Sequence, residues 1–234
     1  MWLAPSAHAR AQQLLTCDPR PLTAQEAGAS AFPESALQGP IGAERGHDRA
    51  ATALRAFLSR AFPEHPLPQH GYQVLISKPS FVLFGRPPYG STSSYVSVGN
   101  VAGSWQVTSS GGCWPHRLRA GLIVATLSHV AYRRPRATAR ALTVLVEPPG
   151  CQQAPVFDRA RLAWRRRSLT ITLLLTPVKP QPPLAAGPAP APAPPMQACA
   201  EPGRLVAYRV TLGRALGHRA IYDGSTVPAA PIAR

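Results

Sequence analysis

Acidic side chains are scarce in this chain of 234 residues. Ten Asp and Glu residues stand against 25 Lys and Arg residues, and the formal net charge at pH 7 is +15. General acid–base catalysis most often uses a histidine or a carboxylate. With so few Asp and Glu residues, few positions could supply a catalytic carboxylate. A surplus of positive charge attracts anionic polymers and membrane surfaces. The charge balance therefore disfavours catalysis by carboxylates. An anionic partner is one explanation for the excess of positive charge.

Lysine and asparagine are also nearly missing. Lys78 and Lys179 are the only lysines, so 23 of the 25 basic residues are arginine, and Asn100 is the only asparagine. This pattern, together with abundant alanine and proline, is typical of a GC-rich coding bias. Coding bias alone explains the basic composition, and it is the favoured interpretation beside selection for a basic surface.

Long apolar runs are missing as well. No run reaches the 18 residues that a transmembrane helix needs, so we expect no transmembrane span. The first 20 residues lack the apolar core of 7–15 residues found in signal peptides. Either the protein is not exported, or its true start lies upstream of Met1.

Motifs that would define an enzyme or a metal site are missing too. The sequence contains no C-x-x-C pair, no H-E-x-x-H, no phosphate-binding glycine loop and no G-x-S-x-G. Its seven histidines are scattered, and Asp223 in a Tyr-Asp-Gly turn is expected to bond the turn backbone. We therefore predict no catalytic residue, no metal site and no cofactor, and we lean against an enzyme.

The segment "GGCWPHR" (111–117) is the strongest chemical candidate that remains. Cys113 could be a nucleophile, or it could form a structural disulfide with another cysteine. A nucleophilic thiolate needs a helix N-terminus or a paired imidazole. His116 lies three residues on, and in an extended segment that spacing places the two side chains on opposite faces. The disulfide interpretation is therefore favoured.

Periodicity predicts an α+β fold. Asp48 is a plausible N-cap, and Leu54, Phe57 and Leu58 lie on one face of the helix that follows. Alternating segments then predict antiparallel strands at 72–77, 80–85, 94–99 and 103–110. We expect the N-terminal helix to pack on this antiparallel sheet.

The rest of the chain is mostly β in pattern, and we expect a sandwich-like or partial-barrel half. Strands are predicted at 141–147 and 204–212, with a strand pair around a turn near Arg167. A Pro/Ala-rich loop spans 177–195, where proline excludes a sheet strand. The predicted division is an irregular leader at 1–45, the helix and sheet at 46–138, and the β-rich half at 139–234.

Several segments in this order carry a resemblance. They are "SALQGPIGAE" (35–44), "GSWQVTSSGGCWP" (103–115), "LTVLVEPPGC" (142–151) and "LGHRAIYDGSTVP" (216–228). The chain resembles a group of uncharacterised exported proteins and lipoproteins of GC-rich actinobacteria. The resemblance implies export and a disulfide framework, and it implies nothing about catalysis. The missing signal peptide departs from that pattern.

Four cysteines allow three pairings. Cys151 and Cys199 bracket the Pro/Ala-rich loop, so a bond between them would close it. Cys17 is then left for Cys113, and this bond would tie the leader to the edge of the first sheet. We predict these two disulfides, with the other pairings still open.

Arginines are dense between Arg117 and Arg167, where eleven of them stand against two acids. If they form one face, that face could bind phosphates of nucleic acid or of an envelope polymer. The candidate anion-binding residues are Arg133, Arg134, Arg136, Arg165, Arg166 and Arg167. We expect an extracellular or envelope-associated protein with a binding or structural role, and the alternatives are an anionic-polymer binder and an unrecognised hydrolase.

Overall fold

The computed structural model describes residues 13–17, 23–60, 67–89, 93–130, 135–146, 155–177 and 205–232. The described chain is rich in strands, with two short α-helices and several sheets. It divides into two compact units. The first contains the described parts of 1–18 and 27–118, and the second those of 19–26 and 119–234.

The first unit contains one helix of ten residues and seven strands. Helix α1 spans Ala24–Ala27, where the chain passes between the units, and α2 spans Arg49–Leu58. The strands are β1 (Leu14–Thr16), β2 (Phe32–Pro33), β3 (Gln73–Lys78), β4 (Phe81–Arg86), β5 (Ser94–Val101), β6 (Ser104–Gly112) and β7 (His116–Arg117).

The main sheet of this unit is antiparallel, in the order β3-β4-β5-β6. Asp48 is the N-cap of α2, and its carboxylate accepts a hydrogen bond of 2.8 Å from the amide of Ala51. The helix buries Leu54 and Leu58 in one apolar cluster with strand residues that include Phe84 and Val96. The predicted N-cap and the predicted apolar face of the helix are confirmed at Asp48, Leu54 and Leu58.

The leader contains short regular elements within its described part. β1 pairs with β2 on one side and with β7 on the other. Further along, the buried carboxylate of Glu44 accepts hydrogen bonds from the amides of Gly71 and Tyr72, at 3.2 and 3.1 Å. These bonds fasten the segment before α2 to the beginning of β3.

The second unit contains eight strands. They are β8 (Ile123–Ala125), β9 (Leu127–Val130), β10 (Ala141–Val146), β11 (Val156–Trp164), β12 (Ser168–Thr176), β13 (Val206–Thr211), β14 (Ala220–Asp223) and β15 (Ala230–Pro231). One sheet has the order β11-β12-β14-β15, with β8 also paired to β12, and the other has the order β13-β10-β9.

Strand β12 contributes four residues to the buried core of the second unit. Leu169, Ile171, Leu173 and Leu175 are fully buried at alternate positions. They share one apolar cluster with residues of the β13-β10-β9 sheet, such as Val144. β14 pairs with β12 in parallel, with Ala220 opposite Ser168, so both strands begin at the same end of the sheet.

No described helix is long and apolar enough to cross a membrane. Of the predicted Pro/Ala-rich loop, 178–195 lies outside the described residues.

Candidate anion-binding site

An exposed turn of the second unit carries three consecutive arginines. β11 ends at Trp164 and β12 begins at Ser168, so Arg165, Arg166 and Arg167 form the connection. The amide of Arg165 donates to the carbonyl of Ser168 at 2.9 Å and closes the turn. All three residues are exposed, because a turn this tight directs their long side chains to solvent.

The segment that leads into β14 lies against this turn. The amide of Ala220 donates to the carbonyl of Arg167 at 3.0 Å. The guanidinium of Arg219 donates through Nε to the carbonyl of Arg165 at 3.0 Å, and through Nη1 to that of Leu216 at 2.9 Å. Arg219 therefore braces the turn from the neighbouring loop.

A third segment, 135–140, joins the same end of the unit. Leu212 donates its amide to the carbonyl of Arg140 at 2.9 Å, where β13 ends and β10 begins. The amides of Leu216 and Gly217 donate to the carbonyls of Ala139 and Ala137, at 2.9 and 2.7 Å. Backbone hydrogen bonds thus hold all three arginine-bearing segments together.

We call these three segments, 135–140, 164–168 and 212–220, the arginine end of the second unit. They contain no Asp or Glu, so nothing within them neutralises their charge. The nearest acid along β11, Asp158, pairs with Arg159 at 3.4 Å. The basic residues of the arginine end are Arg136, Arg140, Arg165, Arg166, Arg167, Arg214, His218 and Arg219.

Trp164 lies within this group of cations. The guanidinium carbon of Arg214 is 4.2 Å from the centroid of the indole ring, and that of Arg219 is 5.5 Å away. Both distances are within the range of a cation–π interaction. The indole also packs against the core of the second unit. It is therefore a fixed support for exposed Arg214.

The structure brings together four of the six arginines predicted to bind anions. Arg136 and Arg165–Arg167 all lie in the arginine end. Arg133 and Arg134 lie outside the described residues. Sequence reasoning missed Arg140, Arg214 and Arg219. Their contribution depends on the β10–β13 and β12–β14 pairings, which local periodicity does not reveal.

Cys113 is bonded to Cys17, as predicted, with the two Cα atoms 4.7 Å apart. Both residues are buried. In this state the sulfur of Cys113 is not a thiolate, so it cannot act as a nucleophile. Cys151 and Cys199 lie outside the described residues, and their pairing stays a prediction.

Asp223 is a buried carboxylate that fixes a turn. It accepts hydrogen bonds from the amide and hydroxyl of Ser225, at 2.8 and 2.6 Å, and from the amide of Leu127 at 3.1 Å. Burial raises the pKa of Asp223 to about 6, although these hydrogen bonds lower it. The predicted role, bonding the turn backbone, is confirmed.

A shallow groove of about 370 Å³ lies in the first unit. Its lining includes Ile41, Val74, Val82 and Phe84, and its one ionisable side chain is Asp48, which already caps α2. Across the described residues, no group of three or more His, Cys, Asp or Glu side chains could hold a metal ion. The groove therefore offers no second ionisable group to work beside Asp48.

No protein-family model, curated protein or solved structure matches the chain.

Proposed function

We propose that this is a non-enzymatic binding protein, secreted or envelope-associated, whose arginine end takes an anionic polymer. One observation carries the proposal. Seven arginines from three separate segments are gathered at one end of the second unit by backbone hydrogen bonds, without a carboxylate among them. Clustered guanidinium groups are suited to phosphate and similar oxyanions because they donate in a planar, two-pronged geometry.

The fold gives the cluster a defined shape. Arg165 and Arg167 accept hydrogen bonds through their carbonyls from the loop that carries Arg214 and Arg219. The arginine side chains therefore extend from a backbone that hydrogen bonds hold in place. Less ordering is then needed when a polymer binds, which favours affinity.

The Cys17–Cys113 bond supports a location outside the cytosol. Disulfides persist in oxidising compartments and are rare where thiols are kept reduced. The resemblance to exported actinobacterial proteins favours the same location.

We also propose the finer architecture expected from the sequence. In the first unit, α2 covers one face of the antiparallel sheet, since Leu54 and Leu58 share a cluster with Phe84. In the second unit, the two sheets face each other as a sandwich, because Val144 and Ile171 belong to the same buried cluster. The arginine end is then one end of that sandwich.

The alternative of an unrecognised hydrolase has less support. The described groove presents one ionisable side chain, Asp48, and that carboxylate is occupied as a helix cap. Hydrolysis without a metal usually needs a nucleophile or bound water beside a base that is free to take its proton.

The test compares two variants with equal net charge. One replaces Arg165, Arg166 and Arg167 with alanine, and the other replaces exposed Arg159, Arg161 and Arg209 elsewhere on the same unit. Each is titrated with heparin and with inorganic polyphosphate over a range of NaCl concentrations. We expect the first variant to lose about two units of the slope of log K against log salt, and the control to keep the wild-type slope. Equal losses in both would reduce the binding to net charge and overturn the proposal.

A further inference from the structure

Trp164 is the one indole of the arginine end, and a cation already lies against its ring. Arg214 approaches the ring centroid to 4.2 Å and Arg219 to 5.5 Å. Arg219 donates two of its five N–H groups, through Nε and Nη1, to the carbonyls of Arg165 and Leu216. Arg214 is exposed, and its guanidinium makes no hydrogen bond to the described part of the chain. Its N–H donors therefore remain open to a ligand.

This arrangement bears on which polyanion fits. Proteins that bind single-stranded nucleic acid combine a basic groove with aromatic rings on which bases stack. Within the arginine end the large ring of Trp164 is engaged by a guanidinium, and the other ring is the imidazole of His218, so a base would have to displace Arg214 before it could stack on the indole. A phosphate needs no ring, and it can accept directly from the guanidinium that the ring supports.

The charge pattern points the same way. Arg136, Arg140 and Arg214 come from turns at the ends of strands, where the backbone is already bonded to a neighbouring segment. These positions present exposed positive charge along the end of the unit. They are suited to a flexible chain of phosphates, whose affinity comes from neutralised charge rather than from contacts to bases.

We propose that the partner is a phosphate polymer bound through its phosphates alone, and that Trp164 is a positioning residue that holds Arg214 toward it. This inference rests on the proposed function of the arginine end.

The experiment is a double-mutant cycle read with two ligands. The variants are Arg214→Ala, Trp164→Leu and the double variant, with Trp164→Phe as the conservative control. Leucine keeps part of the apolar volume against the core and removes the π face, while phenylalanine keeps a smaller π face. Inorganic polyphosphate and an oligothymidylate with the same number of phosphates are titrated at one NaCl concentration. Thermal unfolding of each variant reports whether it is folded, and Trp164→Met, which also lacks a π face, completes the cycle if Trp164→Leu is not folded.

We expect Arg214→Ala to weaken polyphosphate binding about five-fold, as expected for one charge-assisted contact. Trp164→Leu should weaken it by a smaller factor, Trp164→Phe should restore most of the loss, and the double variant should match Arg214→Ala. If Trp164 only packed against the core, Trp164→Leu would lower thermal stability, and its effect on binding would be the same with and without Arg214. The oligothymidylate should show the same factors.

Two results separate the failures. If neither polymer binds the wild-type protein, the proposed function of the arginine end is wrong. If the oligothymidylate binds much more tightly than polyphosphate, and Trp164→Leu weakens it further when Arg214 is already alanine, then bases stack on Trp164. In that case the site is a nucleic-acid site and only the present inference is overturned.

Discussion

Asp223 is a charged side chain placed where water does not reach it. It is 1% exposed, and three hydrogen bonds from Ser225 and Leu127 hold its two oxygens. The next residue has no room for a side chain, because a Cβ on Gly224 would clash with Oγ1 of Thr172. Packing against β12 therefore requires glycine at position 224. The turn requires a hydrogen-bond acceptor at position 223, because the donors of Ser225 and Leu127 would otherwise be buried without partners.

Asp223 makes the stability of the second unit depend on pH. Because burial raises its pKa in the folded state to about 6, from an ordinary value of 3.8, the folded protein binds the proton more tightly than the unfolded chain. The stabilisation from this proton is full below pH 3.8 and is lost as the pH rises through about 6. In Asp223→Asn the side chain no longer titrates. Its NH2 group also faces one of the hydrogen-bond donors that the carboxylate accepts from in the wild-type protein.

We therefore expect wild-type stability to exceed that of Asp223→Asn at both pH 5 and pH 7.5, and by about 1 kcal/mol more at pH 5. Urea unfolding at the two pH values gives both differences, and the other carboxylates cancel in the comparison. A difference that does not change with pH would show that Asp223 does not titrate in this range.

Among the helices and strands, α2 is determined by neighbouring residues in the sequence, which are its N-cap and its apolar spacing. Asp48 satisfies the amide of Ala51, and the apolar spacing then places Leu54 and Leu58 in the cluster that includes Phe84. The helix ends at Leu58. Such a short helix is marginal by itself, so its cap and its packed face together decide whether it forms.

We expect Asp48→Ala to destabilise the first unit by about 1 kcal/mol, since an alanine N-cap leaves the amide of Ala51 unpaired. Asp48→Asn should lose much less, because its amide oxygen can accept the same hydrogen bond. Circular dichroism during urea unfolding measures both. Equal stability of Asp48→Ala and the wild-type protein would contradict this role for the cap.

Elements that follow local rules could be predicted, and those set by distant pairing could not. The alternation in 72–85 and 94–110 predicted the hairpin strands β3–β6 within about two residues. The parallel pairing of β12 with β14 joins residues about 50 positions apart, with Ser168 opposite Ala220. No local signal encodes it. For that reason Arg214 and Arg219 were not predicted beside Arg165, although the arginine run at 165–167 was.

At the scale of the whole molecule, the positive charge and the Cys17–Cys113 bond have separate consequences. The net charge of +15 gives the chain a general attraction for polyanions, which coding bias alone could explain. The arginine end differs from that background because backbone hydrogen bonds gather its arginines and because it contains no acid. In the first unit, the Cys17–Cys113 bond links residues 96 positions apart.

Loss of this bond should be costly. A cross-link that closes a loop of this length restricts the unfolded chain, so we expect Cys17→Ser with Cys113→Ser to lower the free energy of unfolding by about 2–5 kcal/mol. Urea unfolding of the variant, compared with wild-type protein with and without reductant, measures the loss. A wild-type protein whose unfolding midpoint ignores reductant would contradict a stabilising disulfide.

Chemical footprinting of the arginines tests the central claim most directly. Wild-type protein is treated with an arginine-modifying dicarbonyl reagent, with and without polyphosphate, and modification is quantified by peptide mass spectrometry. We predict protection of Arg136, Arg165, Arg166, Arg167 and Arg214, and unchanged modification of exposed Arg159, Arg161 and Arg209. Uniform protection of both sets, or protection of the second set alone, would contradict a binding site at the arginine end.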